Sequence, residues 1–301
     1  TPAGLSPPLY ISASANLICA FNTHGFGEAK SGDARVMGIL VRCDIAAVQE
    51  VRDAKGDAVQ ALLRELNRYD PSHSYAQLGS RRLGRGTYKE QIIFVYRPVP
   101  RSPPWADLVT VTDWCQFGEA GDFARGPFAA RFYVPSTAIK DFVLLSHHAS
   151  PQNAPHEIAQ LHQVCQELSQ RWGTQNVMVL GDLNAGGAYV PPSAWGSIQL
   201  RWDPRFHWLI GDGVNTTVRA RTHCAYDRYR GSPGGLAPQS RWGSLHGREY
   251  WQSREPRQRL SVNPWGKGVR GRLPLSPLHP QPWGCSDSGG GLERELGEGA
   301  G

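Results

Sequence analysis

The sequence predicts an α/β domain over residues 16–228 of 301, and three observations carry that expectation. Short runs of buried-type residues alternate with stretches whose apolar residues recur at helical spacing. Several of the runs end on an acid, amide or imidazole side chain. A composition that is 40% hydrophobic and 10% aromatic suffices for one large core.

Residues 1–15 form a lead. Leu17 to Phe21 is then a buried strand that delivers Asn22, and Ala34 to Val41 is a short helix. Ile45 to Val48 is a second strand, delivering Gln49 and Glu50. Val59, Leu62, Leu63 and Leu66 mark an amphipathic helix. Gly79 to Gly86 is a basic, glycine-rich loop carrying Arg81, Arg82 and Arg85, a composition equally suited to a solvated hairpin tip. Tyr88 and Glu90 precede the strand Ile92 to Tyr96. After the proline-rich stretch Pro98 to Trp105, further strands are expected at Phe128 to Val134 and Phe142 to Ser146, the latter ending in His147 and His148. Ile158, Leu161, Val164, Cys165 and Leu168 define a long helix that stops near Trp172-Gly173, with His156 and His162 expected at its surface.

That helix feeds VMVLGDLNA, Val177 to Ala185. Its strand breaks at Gly181 and presents Asp182 and Asn184, which share a face because strand residues two apart point the same way. A carboxylate beside an amide suits a hard divalent cation and a phosphate oxygen; an ordinary Asx turn ending a strand would read the same. THCAYDR, ending at Arg228, offers Asp227. From Tyr229 to Gly301, glycine, proline, serine, arginine and tryptophan dominate, and this tail is expected to be disordered.

The formal charge of +6 favours an anionic partner. No apolar run approaches the ~20 residues that span a bilayer, and the stretch from Thr1 lacks the zones of a signal peptide, as in a mature or incomplete chain. The six cysteines show neither metal-ligand spacing nor a disulfide framework; Cys19, Cys43 and Cys165 are expected to pack as small hydrophobes. Asn215-Thr216-Thr217 is an N-glycosylation sequon, with meaning only in the secretory pathway.

Gathered together, Asn22, Glu50, Glu90, His148, Asp182, Asn184 and Asp227 suit a metal-assisted phosphodiesterase: oxygen donors for one cation, and a histidine-carboxylate pair for proton transfer. No glycine-rich nucleotide cradle, serine elbow or Cys/His zinc pattern competes.

The segments CAFNTHGFGEAK, DIAAVQEVRD, LGRGTYKEQIIFVYRP, HHASP, VMVLGDLNAGGAYV and DPRFHWLIGDGVNTTVRARTHCAYDR occur in order across Leu17 to Arg228 and resemble the deoxyribonuclease I family of the endonuclease/exonuclease/phosphatase superfamily. The resemblance implies a four-layered α/β sandwich, two packed mixed sheets flanked by helices, incomplete here at its C-terminus. It implies cleavage of double-stranded DNA at low sequence specificity, with Mg²⁺ or Mn²⁺ at the site and Ca²⁺ in support. By the same resemblance Asn22, Glu50, Asp182 and Asn184 are metal and phosphate ligands, and Glu90, His148, Asp182 and Asp227 are catalytic. Arg52, Tyr88, Arg125 and Asn184 contact DNA. A monomer with no membrane association is implied, with actin as a further partner, in a secreted or endoplasmic reticulum setting or alternatively the nucleus. Two other readings stay open: a lipid or inositol phosphodiesterase, and a catalytically inactive DNA-binding relative or non-functional truncated product.

The departures from the family pattern are specific. Gly187 stands where relatives carry the cysteine that would pair with the one matched by Cys224, so that bridge is not expected. Asn215 stands where an aspartate is usual, which weakens a calcium site. The Ser-Asp-His motif whose histidine would partner Asp227 is not found, and activity is expected to be impaired.

Overall fold

The computed structural model describes residues 17–84, 86–98, 109–118, 122–135, 137, 139–217 and 223–231. Arg85 and the tail from residue 232 lie outside them, and with them the expectation of disorder there. A four-stranded sheet has the order β1 (Ile18–Phe26), β2 (Ile45–Val51), β4 (Gln91–Tyr96), β3 (Ala76–Gly79), with β1 and β2 parallel and the other pairs antiparallel. A six-stranded sheet has the order β5 (Thr110–Gln116), β6 (Phe128–Tyr133), β7 (Asp141–Ser146), β8 (Val177–Asp182), β10 (Asp227–Gly231), β9 (His207–Trp208). Only β7 and β8 are parallel in it. The helices are α1 (Glu28–Ser31), α2 (Ala34–Leu40), α3 (Asp57–Tyr69), α4 (Ala154–Trp172) and α5 (Gln199–Trp202), with a 3-10 turn over Pro192–Ser197.

Three buried clusters fill the spaces between four layers. Between the sheets lie Ile45, Ala47, Ile92 and Phe94 from one side and Phe128, Phe132, Leu144, Met178 and Leu180 from the other. Ala46, Val48, Ile93 and Val95 pack outward against Leu62, Leu63 and Leu66 of α3. Val143, Leu145, Val177 and Val179 pack outward against Ile158, Leu161, Val164 and Leu168 of α4. Central strands buried on both faces are therefore continuous apolar runs, which is why β2, β7 and β8 stand out in the sequence. Strand residues alternate between faces, and that parity decides where the polar ends go. Asn22 continues the face of Ile18 and Ala20, Glu90 that of Ile92 and Phe94, His148 that of Leu144, Asp182 that of Met178 and Leu180, and Asp227 that of Tyr229. All five belong to the inter-sheet face, at one end of the sandwich.

The structure corrects two readings of the cysteines and histidines. Cys19 and Cys43 are not separate thiols but a disulfide, Cα to Cα 6.0 Å. Cys19 faces outward from β1, and the chain leaving α2 returns Cys43 to the same outer cluster. Cross-linking a loop of this length (24 residues apart) stabilises by about 3 kcal/mol. Cys19→Ser is thus expected to lower the free energy of unfolding by about that amount in a denaturant titration; an unchanged midpoint would contradict it. His162 is buried rather than exposed, its Nε2 2.7 Å from Asp203 Oδ2 between α4 and the loop after α5. His156 is exposed and meets Asp122 at 2.9 Å.

β10 runs to Gly231, past Arg228, so Tyr229 packs into the inter-sheet core. Arg228 and Arg230, on the opposite face of the strand, are also buried. Arg228 donates to the carbonyls of Ile210 and Ala185, each at 2.8 Å, pairs with Asp212 at 3.0 Å, and lies over the Trp208 ring. Arg230 donates to Asp203 O and stacks 4.8 Å from the Trp208 ring centre.

Candidate active site

Gln49 stitches the two sheets together where their polar ends meet. Fully buried, it donates to Ser146 Oγ (3.2 Å) and His147 O (2.8 Å) and accepts from the Asp182 backbone N–H (2.9 Å). Its amide passes directly over Gly181, whose φ is +128°. A Cβ there would fall on the Gln49 amide nitrogen and within 2.5 Å of His147 O, so only glycine admits this crossing. Across the same seam Asn22 Nδ2 donates to Asp182 Oδ2 at 3.0 Å, and Asn22 Oδ1 accepts from His24 N at 2.9 Å.

Glu50 has the wrong parity to face the site, and the backbone re-aims it. Its φ is +56°, and the register of β2 slips against both neighbours beside it, between Val48 and Val51 on β4 and opposite Asn22 to Phe26 on β1. Bulges next to functional sites serve this purpose. His24 (φ +50°) and Asn184 (φ +49°) are the other two non-glycine residues with positive φ among the described residues, so all the left-handed strain of this kind gathers at one end of the sandwich. Asn184 is held there by its N–H to Asp182 Oδ1 (3.0 Å) and its Nδ2 to Ala149 O (2.9 Å), which leaves its side-chain oxygen for a ligand.

Opposite stands the pair Glu90 and His148, Oε1 to Nδ1 2.7 Å, both buried. Burial pushes the Glu90 carboxyl up, but the His148 hydrogen bond and the charges of His148 and Arg125 outweigh it and hold the group below its ordinary value, as a carboxylate. A carboxylate only accepts, so His148 Nδ1 carries the proton and Nε2 is the nitrogen left to exchange one. Arg125 closes the pair: Nε lies 3.3 Å from Glu90 Oε1 and donates to His148 O at 3.1 Å. Only 14% of its side chain is exposed. Arg52 pairs with Glu50 at 2.8 Å and covers the exposed Tyr88 ring at 4.6 Å, an outward-facing cation-aromatic prong at the rim.

The neighbouring His147 points the other way, into the helix layer. Its Nε2 meets Glu157 Oε2 at 3.0 Å, and both groups are fully buried. Glu157 also accepts from Ala124 N and Ser150 N, each at 3.1 Å, so one carboxylate fixes both loops that frame the site. Burial lowers the His147 pKa and leaves the ring neutral.

Residues 19–258 match the model of the Endonuclease/Exonuclease/phosphatase family. The chain belongs to this family. It is 43% identical over 226 residues to Deoxyribonuclease gamma of Homo sapiens, covering 72% of each chain. It is 44% identical over 215 residues to Deoxyribonuclease-1 of Sus scrofa, covering 70% of this chain and 74% of that one. These relatives place it in the deoxyribonuclease I group of the family. A solved endonuclease/exonuclease/phosphatase family protein from Leptotrichia buccalis C-1013-b shares the fold at 16% identity and TM-score 0.50, over 72% of this chain and 88% of that one.

A cation in this site would draw on a mixed donor set; among the described residues no three His, Cys, Asp or Glu side chains converge into a cage. Two carboxylates, Glu50 and Asp182, with the amide oxygens of Asn22 and Asn184 fit a hard ion that keeps part of its water shell. The electrostatics fit as well. Asp227 stands directly across the ladder from Asp182. Burial first, and then the Asp182 charge, push its carboxyl up to about 8, against the hydrogen bond from Thr216. The charge of Arg228 offsets this only in part. Among the described residues no histidine bonds to Asp227; Thr216 Oγ1 instead takes its backbone N–H at 3.0 Å.

The raised Asp227 value predicts a pH dependence. The folded carboxyl holds its proton where the unfolded one (about 3.9) has lost it, so without cation stability falls as pH rises from about 4 to about 8. Added Mg²⁺ is expected to raise Tm more at about pH 8 than at about pH 5, and Asp227→Asn to raise the cation-free Tm at about pH 8. Scanning calorimetry checks both; identical pH slopes for the two proteins would refute the argument.

Three residues that matter here escaped the sequence reading. Gln49 gave a signal, a lone amide inside an apolar strand. Glu157 gives none, sitting in the polar first turn of α4, and Thr216 stands out in the sequence only as the middle of a glycosylation sequon. Gly187 confirms one departure: a Cβ built on it would meet Cys224 Sγ at 2.8 Å, and Cys224 is a free thiol. The Asn215 side-chain oxygen, where a calcium ligand was expected to be weakened, accepts from Thr217 N and Oγ1 at 3.0 and 2.7 Å.

Proposed function

We propose that the chain is a divalent-cation-dependent endonuclease that hydrolyses phosphodiester bonds of double-stranded DNA with little sequence preference. The observation that carries it is that the Glu90–His148 pair bridges the inter-sheet seam beside the Asn22–Asp182 pair, in a chain of the deoxyribonuclease I group. Asn22, Glu50, Asp182 and Asn184 would hold Mg²⁺ or Mn²⁺, which supplies neutralisation of charge on a phosphoryl oxygen. His148 exchanges a proton at Nε2 with the attacking water or the leaving oxygen, and Glu90 fixes the tautomer that leaves Nε2 free. Asp227, opposite Asp182, serves the proton on the other side. Arg52 and Tyr88 suit a minor groove, where a cation and an aromatic ring read width and deformability rather than base identity.

Secretion through the endoplasmic reticulum is the setting we propose, and the Cys19–Cys43 disulfide supports it, because such bonds persist in oxidising compartments. Among the described residues no helix is long and apolar enough to cross a membrane.

Nicking of supercoiled plasmid by the purified chain tests the activity. Conversion to open circles with Mg²⁺ plus Ca²⁺, abolished by chelator and restored by excess Mg²⁺, is the expected result. Salt-sensitive DNA binding with no nicking from a folded preparation would instead make it a non-cleaving relative.

A further inference from the structure

Asn215-Thr216-Thr217 is the only Asn-X-Ser/Thr sequence in the chain, and the nuclease chemistry uses neither of its ends. The structure seats it on the segment that leads into Asp227. Thr216 N donates to Cys224 O at 2.9 Å, and Thr216 Oγ1 accepts from the backbone N–H groups of Tyr226 and Asp227 at 2.9 and 3.0 Å. Asn215 Nδ2 donates to His223 Nδ1 at 3.0 Å, in a contact exposed to solvent.

The first and last residues of the sequon also meet directly. Asn215 Oδ1 accepts from Thr217 N at 3.0 Å and from Thr217 Oγ1 at 2.7 Å. Such an Asx turn is made of local bonds alone, so it can close before the sheets assemble. These bonds also fix which way the amide points: its oxygen is held inside the turn, and its nitrogen is the outer atom. Asn215 is half-buried and follows residues 211–214, all of them exposed. An amide nitrogen carries two hydrogens. His223 takes one, which leaves one that a sugar can replace without the loss of a contact made by the fold.

We propose that Asn215 is an N-glycosylation site. The co-substrate is an oligosaccharide carried on a lipid pyrophosphate. Asn215 Nδ2 forms a bond to C1 of the first sugar, the bond from C1 to the pyrophosphate oxygen breaks, one amide proton is released, and the lipid pyrophosphate leaves. The inference rests on the secretion reading, because this transfer belongs to the same oxidising pathway in which the Cys19–Cys43 disulfide persists. The oligosaccharide places a bulky, solubilising group on the loop whose next residue seats Asp227.

The test translates the full chain behind a cleavable secretory leader in the presence of microsomes, beside Asn215→Gln, Thr217→Val and Thr217→Ser. Resistance to added protease reports entry into the lumen, and peptide N-glycosidase reports the sugar. The parent and Thr217→Ser are expected to give protected bands that the glycosidase shifts down by one glycan, with residue 215 of the parent converted to aspartate in mass spectrometry. Asn215→Gln and Thr217→Val are expected to give only the unshifted band. A protected parent that the glycosidase leaves unshifted overturns the site, and so does a shift that persists in Asn215→Gln. The sugar is scored in the lumen whether or not a variant goes on to fold, so misfolding does not hide the result. The leader brings the chain into the lumen whatever its own compartment. Absence of the sugar from protein isolated from its source, beside a positive result in microsomes, would therefore count against secretion and leave the site standing.

Discussion

Gly181→Ala is expected to abolish the folded site, and with it most of the stability of the domain. The added methyl would occupy the space of the Gln49 amide and press on His147 O, at a backbone φ of +128° that L residues rarely adopt. Relief requires Gln49 to leave its three hydrogen bonds, which orphans buried polar groups at about 1 to 3 kcal/mol each. Left-handed strain adds on the order of 1 to 3 kcal/mol. The sum rivals the ~5 to 15 kcal/mol that holds a domain together. Chemical denaturation of Gly181→Ala, or its recovery only as aggregate, checks this; a midpoint close to that of the parent would mean that β2 and β8 can separate without loss.

The largest expected effect on catalysis divides two adjacent histidines. His148→Ala should reduce plasmid nicking by about 10² to 10⁴, the range for a general acid or base; Glu90 keeps Arg125 beside it, so the loss of stability is that of one buried hydrogen bond, about 1 to 3 kcal/mol. His147→Ala should act mainly on stability: it takes a neutral hydrogen-bond donor from the buried Glu157 carboxylate, a loss of about 1 to 3 kcal/mol, and leaves the backbone donors of Ala124 and Ser150 in place. Steady-state nicking at saturating Mg²⁺ together with thermal melts separates them. Equal damage to both properties in both variants would show that the loop, rather than the Nε2 of His148, is what the chemistry needs.

Much of this arrangement is legible in the sequence, and the unread part has physical causes. β2, β4, β7 and β8 are buried on both faces or nearly so and announce themselves as apolar runs with polar site residues at their ends, and β1 does so from its first residues. β3 is a four-residue edge strand, and β5, TVTDWCQ, mixes exposed Thr112 with buried Val111 and Cys115, too irregular for either period. β10 misleads for a different reason. DRYRG looks like the start of a solvated tail, but Arg228 and Arg230 reach carbonyl partners and lay their guanidinium planes over Trp208, so charged residues fill a buried strand. The disulfide was invisible because Cys19 and Cys43 sit in apolar contexts and only the return of the chain after α2 brings them together. Of the site, the ligand types are readable and Gln49 shows as a polar strand-end residue, while Glu157 is not readable, because its work is to position other groups.

Asn22, Glu90, His148, Asp182 and Asp227 reach one cleft because each falls on the inward parity of its strand. Exchange of any one side chain leaves the other four in place. A single-codon deletion inside β8 would turn Asp182 toward α4 and drive Val177 and Val179 between the sheets. Variation among such chains should therefore enter these strands by substitution, with changes of length confined to the connections between them.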